Sequence, residues 1–295
     1  MSPVSESLDC FGKINLFLEI QDHRPDGFHN LGTLFQTVAC GDRLTATISE
    51  SGAGDAPPSL ELECPQGITD SPEQNLVIRA ARLLLETCAD RVPKHTGMRF
   101  TLEKRLPAGA GLGGGSSDAA GALVLCNRLW NLGLSREELM GYGARLGADV
   151  PFFLFGGSAF GEGKGEILSP APAPYPFHVV IGTPQCKVET GWAYSQLDPD
   201  RKRRWDRFKA LYVTYCEDPG FYRILDNDFH ALMHSRFPPI QAVAEDMQSF
   251  GPVKTLLTGS GASVFALFEE KSRAESCLEA IRSQCRFSCL TGFVE

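Results

Sequence analysis

The stretch "LPAGAGLGGGSSDAAGAL", residues 106–123, constrains this chain more than any other. Five glycines fall between Gly109 and Gly115, and a helix-forming sequence follows without a break. Glycine loses more backbone freedom on folding than other residues. A run this dense therefore marks a main chain that must approach something closely or adopt positive φ. A helix starting directly behind it offers unpaired N–H groups and the positive end of its dipole. Together these form an anion cradle, and phosphate is the anion that suits it.

Two glycine-rich phosphate designs are set aside by the surroundings. A P-loop needs a lysine after its last glycine, and no lysine lies between Arg105 and Lys164. The dinucleotide pattern GxGxxG is met at Gly109, Gly111 and Gly114. That design also requires a strand–turn–helix–strand unit with an acidic residue about twenty positions on, whereas here the helix leads into a second helix. What is left is bare backbone feeding a helix that begins near Ser116, capped by a serine or Asp118, with Ser116 and Ser117 as hydroxyl donors.

The remaining chain reads as α+β in two lobes. Strands are expected in "GKINLFLEIQ", "GTLFQTVA", "RLTATISE", "LELEC" and "GMRFTLEKRL". A helix capped by Asn75 should carry Leu76, Ala80, Leu83, Leu84 and Thr87 on one side, and another should be capped by Ser135 and ended by Gly147. "DVPFFLFGG" reads as extended, and "SAFGEGKGEIL" as a hairpin. The proline-rich residues 169–176 suggest a linker, giving lobes 1–168 and 177–295. The second lobe orders its helices and strands as a split βαβ unit.

The net charge of −8 disfavours a nucleic-acid partner, because an acidic chain gains little from counterion release. One basic run, "RKRRWDRFK" (201–209), is flanked by acidic residues and reads as a solvated helical face. No apolar run suits a membrane span, and the first residues lack the order of a secretory signal, so a cytoplasmic protein is expected. The ten cysteines, dispersed and with no CxxC pair, read as small core residues without a structural disulfide.

Three further features need a joint explanation. "GKINL" puts Lys13 and Asn15 on one face of a strand. "LGADVP" leaves Asp149 just past a helix end, and "LTGSGASVFAL" is a second glycine turn. A lysine and a carboxylate beside a phosphate cradle are what phosphoryl transfer to an alcohol requires. Fixed positive charge stabilises the transferred group, and the carboxylate takes the alcohol proton.

These segments, with "RPDGFHNL.TLFQ" and "LGADVPFFL.GG", resemble the ordered motifs of the galactokinase, homoserine kinase, mevalonate kinase and phosphomevalonate kinase (GHMP) superfamily, from about Lys13 to about Leu267. "KINL" with "RPDGFH" is similar to the branch whose acceptor is a cytidine diphosphate sugar alcohol. The resemblance implies a two-lobe GHMP-kinase fold, with an N-terminal ribosomal-protein-S5-domain-2-like lobe and a C-terminal ferredoxin-like lobe. It implies ATP-dependent phosphorylation of the acceptor's 2-hydroxyl with Mg²⁺, in a monomer or weak homodimer without nucleic-acid or membrane partners.

Carried onto this chain, the resemblance makes Asp149 the catalytic base and Lys13 its charged neighbour. The ATP phosphates would lie along Pro107, Ala108, Gly109, Ala110, Gly111, Leu112, Gly113, Gly114, Gly115, Ser116 and Ser117. Asn15 would hold the acceptor's polar tail, His29 would read the cytosine edge, and Phe28 and Tyr194 would stack on the base. Thr190 would contact the same substrate, and Gly259, Ser260 and Gly261 would wall the site from the second lobe. Phe28 stands where the family more often has tyrosine, and Gly12 where it has alanine. Two other readings stay open at this point: a homoserine or mevalonate type of kinase, and a nucleotide-dependent binding protein without turnover.

Overall fold

A computed structural model describes residues 4–50, 58–65, 71–94, 96–198, 206–218 and 222–294 of the protein. It begins with two long strands, β1 (Ser5–His23) and β2 (His29–Glu50), joined by the turn in "RPDGF". The stretches expected as two strands in 32–50 are one strand. Gly41, between them, is not a turn residue: a Cβ there would sit 2.4 Å from the Cys10 carbonyl oxygen, so glycine lets β1 pass close by. The chain continues through β3 (Leu60–Glu63), α1 (Leu76–Thr87), β4 (Thr96–Glu103), α2 (Gly114–Leu129), α3 (Arg136–Leu146) and α4 (Val150–Phe155). Then come β5 (Ser158–Glu162), β6 (Ile167–Pro170), β7 (His178–Pro184), α5 (Thr190–Ser195), α6 (Asp206–Glu217), α7 (His230–Arg236) and α8 (Pro238–Ser249). The last elements are β8 (Lys254–Leu257), β9 (Val264–Phe268), α9 (Lys271–Ile281) and β10 (Cys285–Thr291).

The chain forms two compact units, and β1 and β2 are long enough to contribute to both. One unit holds Met1–Phe11, Gly41–Ala108 and Gly114–Phe155. In it, residues 43–50 of β2 pair antiparallel with β4, which pairs parallel with β3. Met98, Phe100 and Leu102 of β4 share a core with Leu123 and Cys126 of α2 and with the buried face of α1. Burial of each larger apolar side chain contributes about 1.5–3 kcal/mol. Asn75 caps α1 by accepting from the Val77 N–H at 3.0 Å. The buried stripe of α1 includes Val77, Ile78 and Ala81 as well as the expected Ala80, Leu83 and Leu84, while Thr87 is exposed. Ser135 and Glu138 form a reciprocal capping box on α3.

Residues 150–155, expected to be extended, form the short helix α4. Pro151 stands in its first turn, where a missing N–H costs nothing. Helix α2 starts at Gly114, two residues before Ser116, so neither serine nor Asp118 can cap it. Both serines and Asp118 lie inside the helix.

The other unit holds Gly12–Cys40, Gly109–Gly113 and Gly156–Glu295. Residues 33–36 of β2 pair with β5, and β5 and β6 make the expected hairpin. A four-stranded antiparallel sheet runs in the order β10-β7-β9-β8, the arrangement of a ferredoxin-like βαββαβ unit. Helices α8 and α9 cover it, with Ile240, Val243, Met247, Cys277 and Ile281 buried in one core with Val180, Val264 and Phe268. Helix α6 begins within the basic run. Of the run 201–209 expected as a solvated helical face, 201–205 lie outside the described residues, and the rest opens α6 with Asp206, Arg207 and Lys209 exposed but Phe208 buried. All ten cysteines are free thiols. Among the described residues, no helix is long and apolar enough to cross a membrane.

Candidate active site

The strand "GKINL" alternates, yet both polar residues on its one face point inward. Lys13 is 4% exposed and Asn15 3% exposed. A buried ammonium is costly unless its protons are accepted. Lys13 Nζ donates to Asn15 Oδ1 at 2.8 Å and lies 5.5 Å from the centre of the Phe35 ring. Asn15 is held on all sides. Its amide donates to Thr33 Oγ1 at 2.8 Å, and Thr33 passes its own proton to the Phe17 carbonyl at 2.7 Å. Its Oδ1 also accepts from the Gly259 N–H at 3.0 Å, and its backbone N–H donates to Thr258 Oγ1 at 3.1 Å.

The same mesh joins the two glycine turns. Thr258 Oγ1 donates to the Gly111 carbonyl at 3.2 Å, Ser263 N–H to the Ala110 carbonyl at 3.2 Å, and Lys13 N–H to the Leu112 carbonyl at 2.9 Å. Here glycine is a steric requirement. Gly111 has φ +80°, and a Cβ on it would lie 2.2 Å from the Thr258 carbonyl oxygen. A Cβ on Gly259 would lie 3.2 Å from Gly111 Cα and 3.6 Å from Lys13 Nζ. Thus Lys13, Asn15, the loop 109–113 and the turn 258–263 form one hydrogen-bonded group.

Other expected substrate residues of this unit fall into smaller sets. His29 and Tyr194 have ring centroids 5.3 Å apart, and Tyr194 in turn packs edge-on to Phe229 at 5.0 Å. Ser260 Oγ donates to Thr190 Oγ1 at 3.2 Å, tying the glycine turn to the first residue of α5. Phe28 is 53% exposed and lies under Lys164 Nζ at 4.6 Å, a cation–π contact with the turn between β5 and β6.

In the first unit, Pro107 and Ala108 lie in the turn after β4, and Gly114, Gly115, Ser116 and Ser117 make the first turn of α2. Gly115 is exposed, Ser116 half-buried and Ser117 buried. The amides opening α2 have no intrahelical acceptor, so this end suits an anion. Asp149 is half-buried in the three-residue connection between α3 and α4, immediately before Val150.

Several residues escaped the sequence reading. Thr33, Thr258 and Asn227 belong to the Lys13 group or support it. Asn227 donates at 2.9 Å to both the Leu257 and Gly259 carbonyls, which fixes the second glycine turn. Their types and spacing carry no motif, and only tertiary contact reveals them. Among the described residues, no cluster of three or more His, Cys, Asp or Glu side chains could hold a metal by itself.

Family models for the GHMP kinases N terminal domain and the GHMP kinases C terminal match residues 75–157 and 225–286. Among solved structures, the chain is similar to a 4-(cytidine 5'-diphospho)-2C-methyl-D-erythritol kinase at 32% identity. That match covers 98% of this chain and 100% of that one with a TM-score of 0.77. It shares its fold with homoserine kinase from Cytophaga hutchinsonii (17% identity, 94% and 90% covered, TM-score 0.68). It does so too with L. major mevalonate kinase in complex with R-mevalonate (17% identity, 99% and 97% covered, TM-score 0.69).

Proposed function

The chain belongs to the GHMP kinase family, and we propose that it transfers the γ-phosphate of ATP to the 2-hydroxyl of 4-diphosphocytidyl-2-C-methyl-D-erythritol, a step of non-mevalonate isoprenoid precursor synthesis. The observation that carries this reading is similarity to a kinase of that acceptor along 98% of this chain. The buried Lys13 group supports it chemically, because an enclosed ammonium fixed against two glycine turns is suited to developing phosphoryl charge.

In this reading Asp149 accepts the proton of the acceptor hydroxyl. The freed oxygen forms a bond to the γ-phosphorus, the β–γ bridging P–O bond breaks, and ADP departs with the bridging oxygen. Lys13 holds positive charge beside the nascent alkoxide, and Asn15 keeps that ammonium in place while binding the acceptor's polar tail. The amides of residues 109–115, with Ser116 and Ser117, hold the triphosphate. Gly109, at φ +62° with nothing within 4 Å of where its Cβ would stand, suits such an approach. His29 and Tyr194, already in ring contact, take the cytosine, with Phe28 stacking and Lys164 at its side.

Magnesium suits this site as a companion of ATP. It keeps most of its waters and binds through phosphates and one or two protein oxygens, a part Ser116 and Ser117 can fill. When bound it supplies charge neutralisation across the phosphate oxygens. We place the protein in the cytoplasm, where ten free thiols remain reduced.

Phosphotransfer from labelled ATP to the cytidyl acceptor, mevalonate and homoserine tests the reading. Turnover with the cytidyl acceptor alone, inhibited by CDP, is expected. Equal or greater turnover with either of the other alcohols would replace the acceptor assignment, and no transfer to any of them would remove the kinase.

A further inference from the structure

A second buried charge group lies in the first unit, against the stretch that runs into and opens α2. Lys104, just past β4, donates through Nζ to Asp118 Oδ2 at 2.8 Å and to Asp42 Oδ2 in a shorter contact. The side chains of Lys104, Asp42 and Asp118 are 8%, 0% and 4% exposed. Asp42 Oδ1 accepts from the backbone N–H groups of Arg105 and Leu106 at 2.6 and 2.8 Å, fixing the chain as it turns into the glycine loop. The opening residue of α2 rests on this group. A Cβ on Gly114 would come within 3.3 Å of Asp42 Oδ2 and of Lys104 Nζ. Asp118 stands one turn into the same helix, and its second oxygen, Oδ1, is buried without a hydrogen-bond partner.

Three buried ionisable groups are an expensive way to hold a strand end against a helix that apolar residues could hold. Their position suggests a reason. Two carboxylates beneath the amino end of α2 would oppose a triphosphate bound there, and Lys104 cancels one of them. We propose that Lys104, Asp42 and Asp118 are positioning residues for phosphate binding, which fix the first turn of α2 and set the charge beneath it. This rests on the kinase reading above.

The charge is adjustable at Asp118. Burial pushes its carboxyl up to about 7, with Lys104 pulling it down and Asp42 pushing it further up. Burial also pulls Lys104 down, but Asp118 and Asp42 outweigh that and keep its ammonium above the ordinary value. Cys10 of β1 is the other group nearby; burial raises its thiol far enough to keep it neutral. Asp9 beside it is paired with Arg43 at 3.0 Å near the surface. Below pH about 7 the triad sums to zero with Asp118 protonated, and above it to minus one, which a triphosphate resists.

Calorimetric binding of Mg·ATP to the full chain, with KM and kcat for both substrates, tests this. Wild type is expected to bind Mg·ATP more weakly as pH rises from about 6 to about 8, and Asp118→Asn, which retains an oxygen for Lys104, is expected to lose that slope. Lys104→Met, leaving two carboxylates uncompensated, is expected to raise the Mg·ATP Kd about tenfold with the acceptor KM unchanged, and Lys104→Arg to restore it partly. If Lys104→Met does not fold, the slope in Asp118→Asn decides. A slope equal to wild type overturns the proposal while wild type still phosphorylates its acceptor. A wild type that binds no Mg·ATP overturns the kinase reading and the proposal with it.

Discussion

Asp149 and Lys13 carry the proposed chemistry, and substitution of Asp149 isolates the proton transfer. Asp149→Asn removes the proton acceptor while preserving shape, so kcat should fall about 10²–10⁴-fold with Mg·ATP affinity retained. Steady-state kinetics beside direct binding checks this, and near-normal turnover would take Asp149 out of the base role. Gly111→Ala makes a different point. The added methyl would collide with the Thr258 carbonyl in a backbone at φ +80°, so both glycine turns must move. Loss of activity with a lowered melting temperature is expected, and a variant with unchanged stability would contradict the packing described. Asp118 supplies a test of stability against pH. Because its carboxyl is raised on folding, the folded state binds a proton more tightly than the unfolded chain. The stabilisation from that proton is complete below the ordinary carboxylate range and is lost as pH rises toward about 7. Asp118→Asn should therefore gain stability relative to wild type between pH about 4 and about 8, as chemical denaturation at the two ends would show.

At the level of elements, local chemistry was legible wherever a short-range rule decides the outcome. Asn75 and Ser135 cap the helices that follow them, and the βαββαβ order of the second unit follows from alternating apolar periods. Ser135→Ala should cost about 1 kcal/mol through loss of the capping box. A difference in urea midpoint checks this, and no change would mean the cap is not populated. Misreadings arose where one residue type serves two purposes. Gly41 resembles a strand break, but it is glycine because β1 passes 2.4 Å from where its Cβ would stand. Pro151 resembles an extended marker, but it opens α4. The Lys104–Asp42–Asp118 group could not be read at all. Its members lie 62 and 14 positions apart, and nothing in their types requires them to meet.

For the whole molecule, the glycine loop spans both compact units. Its residues 109–113 pack with the second unit, and 114–117 open a helix of the first. Family membership rests on similarity along nearly the full chain, and the acceptor rests on whether this chain reads a cytidine. The most direct measurement is phosphate transfer from ATP to 4-diphosphocytidyl-2-C-methyl-D-erythritol, run beside mevalonate and homoserine and followed by identification of the phosphorylated hydroxyl. Transfer to the 2-hydroxyl of the cytidyl substrate alone is the expected result. Transfer to another alcohol in preference, or none to the cytidyl substrate, would contradict the account.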